Sequence, residues 1–157
     1  MAIEVFQIEW TKLQPLDKAL TQAIAQEGGV YIIVESTTNG MKPLYIGKTT
    51  SFYNRSSTHR NYASHLTVTK SKKYSISFGI ISCFDKSHIS HDITPEQLKE
   101  IESFFINEFK PHGNDLSTKK GYKGQPIIIF NSGARLFASN ILTNCPDLVK
   151  ILKKKLR

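Results

Sequence analysis

Cysteine is nearly missing from this chain: there are two in 157 residues, Cys83 and Cys145. Two thiols make no disulfide framework, which points to a reducing, cytoplasmic compartment. Long apolar runs are missing too. No stretch approaches the roughly 20 residues a membrane-spanning helix needs, and the N-terminus MAIEVFQIEW lacks the basic-then-apolar layout of a secretory signal. Internal repeats, low-complexity tracts and interdomain linkers are also absent, so residues 1–157 read as a single domain folded throughout. Acid is the scarcer charge, with 13 Asp and Glu against 21 Lys and Arg and a net charge of +8. That balance favours a polyanionic partner, nucleic acid being the usual one. Lysines that merely solubilise the surface would give the same balance, and Lys153–Lys155 read best as cations complementing the end of a last helix.

Neither a serine–histidine–acid arrangement nor a phosphate-cradling P-loop is present. Cys83, His88 and His91 have zinc-like chemistry, but their spacing fits no standard site and a fourth ligand is missing, so they read as part of a polar loop.

What is there centres on residues 28–60. Gly29–Val34 is β-branched and aromatic throughout, Pro43–Gly47 is similar, and the Ser36–Gly40 stretch between them ends in Asn-Gly, a strong turn signal. With the loop centred on Thr38, Tyr31 pairs opposite Tyr45. Val30, Ile32 and Val34 then share a face with Leu44 and Ile46, and the two phenols share the other. A helix capped by Thr50 or Ser51 follows, through about Ser64, carrying Arg55 and His59 one turn apart. Residues 65–73 read as a polar, basic loop.

Elsewhere, Ile3–Ile8 reads as extended, Trp10 as a packing residue, and residues 15–26 as a helix ended by Gly28-Gly29. Residues 73–82 alternate as a strand with Ile76, Phe78 and Ile80 on one side. Thr94-Pro95-Glu96-Gln97 has the form of a capping box with proline at the first helical position. The helix it opens runs to about Phe109 with Leu98, Ile101, Phe105 and Phe109 as its apolar stripe, and Pro111 stops it. Glu102 falls within that stripe, where an acid is either solvated at the rim or a metal ligand facing a cleft. Beyond Asn114 lie a Gly- and Lys-rich loop, a short apolar strand at 126–130, and two closing helices at 134–142 and 147–156.

Gly29-Val30-Tyr31, Tyr45-Ile46-Gly47, Arg55 with His59, Glu102, and Asn114 in Lys-Pro-His-Gly-Asn occur in this order. The arrangement resembles the GIY-YIG nuclease superfamily over roughly residues 28–115, with valine in place of the isoleucine of GIY and YIG intact. The resemblance implies an α/β fold, with a small, mainly antiparallel three-stranded central sheet flanked by helices. Outside that core this chain adds an N-terminal strand and helix and a C-terminal extension, 121–157, that would supply DNA contacts or a dimer surface. The resemblance implies a Mg²⁺-dependent endonuclease, with Mn²⁺ a substitute, cutting DNA in one step to leave a 5′-phosphate and a 3′-hydroxyl. Glu102 would hold the metal, Arg55 the scissile phosphate, and one of Tyr31 and Tyr45 would activate or orient water, with Tyr31 preferred. His59 would relay a proton or orient the phosphate. Lys48 and Asn114 would serve the substrate, Asn114 as a brace unless it only satisfies its own turn. With no zinc finger, helix-turn-helix or second nuclease domain visible, a small stand-alone nuclease is expected, monomeric or homodimeric. The alternative is a non-catalytic nucleic-acid-binding module on the same scaffold.

Overall fold

The computed structural model describes residues 3–19, 21–54, 74–84, 90–91, 93–114, 119–134 and 140–155. Among the described residues seven strands form one sheet: β1 (Glu4–Trp10), β2 (Gly29–Thr37), β3 (Gly40–Thr49), β4 (Tyr74–Phe84), β5 (Ser90–His91), β6 (Ile127–Gly133) and β7 (Ile141–Thr143). Their order is β3-β2-β4-β1-β6-β7, with the short β5 pairing β4 off this path. All pairs are antiparallel except β1 with β6. The expected three-stranded antiparallel sheet is therefore only the β3-β2-β4 portion of a larger mixed one. Ile127-Ile128-Ile129-Phe130 is a continuous apolar run, of which Ile127 and Ile129 are buried and Phe130 is exposed. No local signal tells such a run that its partner begins at Glu4.

Among the described residues three helices accompany the sheet: α1 (Leu16–Ala19), α2 (Pro95–Phe109) and α3 (Pro146–Lys155). The α2 start forms as its sequence dictates. The Thr94 hydroxyl accepts from the Gln97 amide, the Gln97 side chain accepts from the Thr94 amide, and Pro95 occupies the first turn. Its buried face, Ile101, Phe104, Phe105 and Ile106, packs with Phe6, Ile8, Trp10, Val30, Ile32, Val34, Ile46, Ile127 and Ile129 on one face of the sheet. Trp10 stands edge-on to Phe105 and donates its indole N–H to Asn131, satisfying the polar end of a buried ring. The opposite face carries a second cluster built from Ala19, Ala25, Tyr31, Ile33, Phe52, Ile76 and Phe78.

Two helix expectations are corrected. In place of one helix over 15–26 there is the single turn of α1 and then a 3-10 turn, Ala23–Gln26. The Thr21 hydroxyl donates to the Lys18 carbonyl, a local bond that competes with helix continuation. The expected helix over 134–142 ends instead as β7, antiparallel to β6; residues 135–139 lie outside the described part. Of the helix expected to carry Arg55 and His59, the described part is the turn Phe52–Asn54, where the Asn54 amide donates to the Ser51 hydroxyl. Arg55, His59, the basic loop at 65–73 and the His88 of the zinc-like set lie outside the described residues, as do the side chains of Cys83 and His91.

Candidate active site

The β2–β3 hairpin departs from the expected register. Strand pairing continues to Thr37↔Gly40, leaving Thr38-Asn39 as the turn, and a bulge falls between Ile33 and Val34. Tyr31 consequently sits opposite Gly47 and Tyr45 opposite Ile33, where direct Tyr31–Tyr45 pairing was expected. Leu44, the extra residue, turns to the Tyr31 face and away from Val30, Ile32, Val34 and Ile46. The two phenols still share one face. Their rings lie 6.0 Å apart between centroids, tilted by 29°, with Phe52 edge-on to Tyr31 at 6.5 Å. Tyr31 is buried, and its ring and hydroxyl lie against Gly47, where any Cβ would collide with them. That close approach is the reason for glycine in the YIG segment.

Among the described strands β3 lies at one edge of the sheet, and its outer side is lined by a 3-10 turn, His112–Asn114. The Ile46 amide donates to Asn114 Oδ1 at 2.8 Å and Asn114 Nδ2 donates to the Ile46 carbonyl at 2.9 Å. The asparagine thus pairs with the YIG backbone as a neighbouring strand would. Gly113 permits it, since a Cβ there would lie 2.7 Å from the Leu44 carbonyl oxygen and 3.0 Å from the Tyr45 ring. Lys48 follows Gly47 on the same strand, opposite Val30 and half-buried.

A cavity of about 630 Å³ opens beside this edge. Tyr45, Glu102 and Asn114 line it, brought together from β3, α2 and the His112–Asn114 turn, with Glu96, Lys99, Ser103 and the loop 120–124 completing the wall. Tyr31 is not among the lining residues and reaches the site through its ring contact with Tyr45. Sequence reasoning did not single out Lys99 or Tyr122. Lys99 carried a signal, for it precedes Glu102 by one helical turn and so shares its face. The Tyr122 hydroxyl is pushed up to about 12 by burial, aided by Glu100, Glu4 and Cys145, and donates to the Gln125 carbonyl at 2.7 Å.

Compared with known protein families, the chain matches the GIY-YIG catalytic domain over residues 27–116, more than half its length. The chain belongs to the GIY-YIG family. No curated protein and no solved structure matches it. Family membership carries nuclease chemistry in general, and GIY-YIG nucleases act on DNA. β1, β6, β7 and the loop 120–124 lie outside the matched residues yet join the same sheet and cavity.

Among the described residues no three His, Cys, Asp or Glu side chains cluster as a preformed metal cage. A single carboxylate is compatible with Mg²⁺, which keeps several waters and takes phosphate oxygens as further ligands. The hard oxygen donors of Glu102 and Tyr45 around an open cavity fit such an ion. No helix among the described residues is long and apolar enough to cross a membrane.

Proposed function

We propose that this GIY-YIG protein is a Mg²⁺-dependent endonuclease that hydrolyses DNA phosphodiester bonds in one step. The observation that carries the reading is the cavity in which Tyr45, Glu102 and Asn114, dispersed over β3, α2 and a turn, form one wall. Glu102 is the residue that would hold the ion, with Mn²⁺ an acceptable replacement. When bound, the ion withdraws charge from the phosphoryl and leaving oxygens.

The remaining work falls to side chains of this chain. A phenol with a reference pKa near ~10 is a poor base at neutral pH, and positive charge nearby favours its ionised form. Tyr45 is the phenol that lines the cavity, and Tyr31 stacks behind it, so the pair supplies the proton acceptor for the attacking water from one surface. Water oxygen bonds to phosphorus as the bond to the 3′ oxygen breaks; its proton passes to the phenolate, and the 3′ oxygen takes a proton from solvent. Arg55 offers a fork of donors to the scissile phosphate. His59 assists by relaying a proton or orienting that phosphate. Lys48, next to Gly47, contacts the backbone. Asn114 acts by holding Ile46, and through it Tyr45, in place.

Plasmid nicking tests this. Wild type should convert supercoiled DNA to nicked or linear forms with Mg²⁺ and stop on chelation. Glu102→Ala and Arg55→Ala should each lose roughly a hundredfold or more in rate, the scale of removing one group that stabilises transition-state charge. Cleaved ends should carry 5′-phosphate. Wild-type protein that binds DNA and never cuts it under these conditions would replace this reading with that of a binding module.

A further inference from the structure

The cavity that Glu102 lines is walled in part by a loop outside the family-matched residues. Lys120, Gly121, Tyr122, Lys123 and Gly124 all line it. The loop is tied to α2 at two points and closed on itself at a third. The Tyr122 ring stands edge-on to Phe104, with centroids 5.4 Å apart; its hydroxyl closes the loop on Gln125, and the Gln125 amide donates to Glu100 at 3.4 Å. Lys120 and Lys123 are both exposed. Flexible cations on a solvated tail would gain little by being held. Here two ammonium groups ride on an anchored loop beside the carboxylate where the reaction is placed.

Resting on the nuclease reading, we infer that the loop from Lys120 to Gln125 is a second DNA-contacting element. Lys120 and Lys123 neutralise backbone phosphates flanking the scissile one, and Tyr122 anchors the loop against Phe104. The partner is the sugar–phosphate backbone, so the contact positions the strand and carries no sequence information. Each phosphate neutralised on duplex DNA contributes about 0.9 to the slope of log affinity against log salt.

Binding to a fluorescent duplex oligonucleotide, measured in chelator so that no strand is cut, tests the loop. Lys120→Ala/Lys123→Ala should lower the slope by about 1.8, equivalent to removing roughly a twelvefold loss of affinity between 50 and 200 mM salt. A control pair on α3, Lys153→Ala/Lys154→Ala, should leave the slope within about half a unit of wild type. A slope unchanged by the loop variant, or lowered equally by the control, overturns the assignment. The function is read separately from wild-type plasmid nicking. Nicking with an unchanged loop slope removes the loop proposal alone, whereas neither nicking nor salt-dependent affinity removes both.

Discussion

Asn114 gives the sharpest link between stability and activity. Asn114→Ala deletes one bond from the Ile46 amide and one to the Ile46 carbonyl, both of them near 2.8–2.9 Å and half-buried. At about 1 kcal/mol net per bond, the loss is on the order of 1–3 kcal/mol. For a chain of this size that lowers Tm by roughly 4–8 °C at the middle of the range. Asn114→Asp separates the two bonds. Its carboxylate still accepts from the Ile46 amide but faces the Ile46 carbonyl with a lone pair where a donor stood. Protonation restores a donor, so the folded state raises the pKa of this aspartate above its ordinary value near ~3.9. The sign follows: the stabilisation is present below the unfolded pKa and is lost as pH rises through the raised folded one. Asn114→Asp should therefore be less stable than wild type at neutral pH and recover on acidification, while Asn114→Ala shows no such recovery relative to wild type. Thermal melts at several pH values, with plasmid nicking on the same samples, check both. Cleavage should fall well beyond what the unfolded fraction explains, because a displacement near 1 Å at a reacting centre costs about a hundredfold. An alanine variant melting within about 1 °C of wild type, or an aspartate variant with wild-type pH dependence, would refute the bracing argument.

Gly47→Ala forces a methyl into the Tyr31 hydroxyl and should cost about 1–3 kcal/mol, the usual price of overpacking. Urea midpoints and nicking rates read it together, and an unperturbed midpoint would show that Tyr31 has room to move. The Tyr122 hydroxyl, pushed up to about 12 when folded, ionises earlier in the unfolded chain, whose value is near 10. Stability from this group is therefore intact below the unfolded value and lost as pH climbs from there toward 12. In alkaline unfolding Tyr122→Phe should lose less stability than wild type across that interval; parallel curves would count against the shift.

Much of this was legible in the residues because it was local. The α2 start, its apolar stripe and the Ile76–Phe78–Ile80 face rest on spacing within a few positions, and each formed as read; the hairpin formed too, but in a register that its bulge shifts. The sheet's full extent was not legible. The pairing of β1 with β6 joins Glu4 to Ile127 across the chain, and an apolar run does not name its neighbour. The end of the 134–142 segment departs from the helix reading for a related reason: Ile141–Thr143 gained a strand partner in Ile128–Phe130 that outweighed local helical spacing. At the candidate site, residue types and order pointed to Tyr45, Glu102 and Asn114, and the cavity joins them. Lys120, Tyr122 and Lys123 read only as a basic, glycine-containing loop, since nothing in their own spacing indicates that Tyr122 docks on Phe104.

The bulge in the hairpin explains how the phenols meet. A turn at Thr38-Asn39 sets a register in which Glu35 faces Lys42 and Val34 faces Pro43. Carried on without interruption, it would put Tyr45 opposite Ile32, on the α2 side of the sheet and away from Tyr31. One additional residue, Leu44, shifts the pairing so that Tyr45 faces Ile33 and both rings stand on one surface. Glu102, on α2, belongs to the other surface. A carboxylate and a phenol pair on opposite faces can converge only around the rim of the sheet, which requires β3 to be its edge. It also requires that edge to remain unpaired by any further strand. Asn114 meets the second requirement: it satisfies the outward amide and carbonyl of Ile46 with a single side chain and leaves Tyr45 open to the cavity. Bulges recur beside active sites because they re-aim one side chain at little cost to the rest of the ladder. Here the re-aimed residue is the tyrosine of YIG.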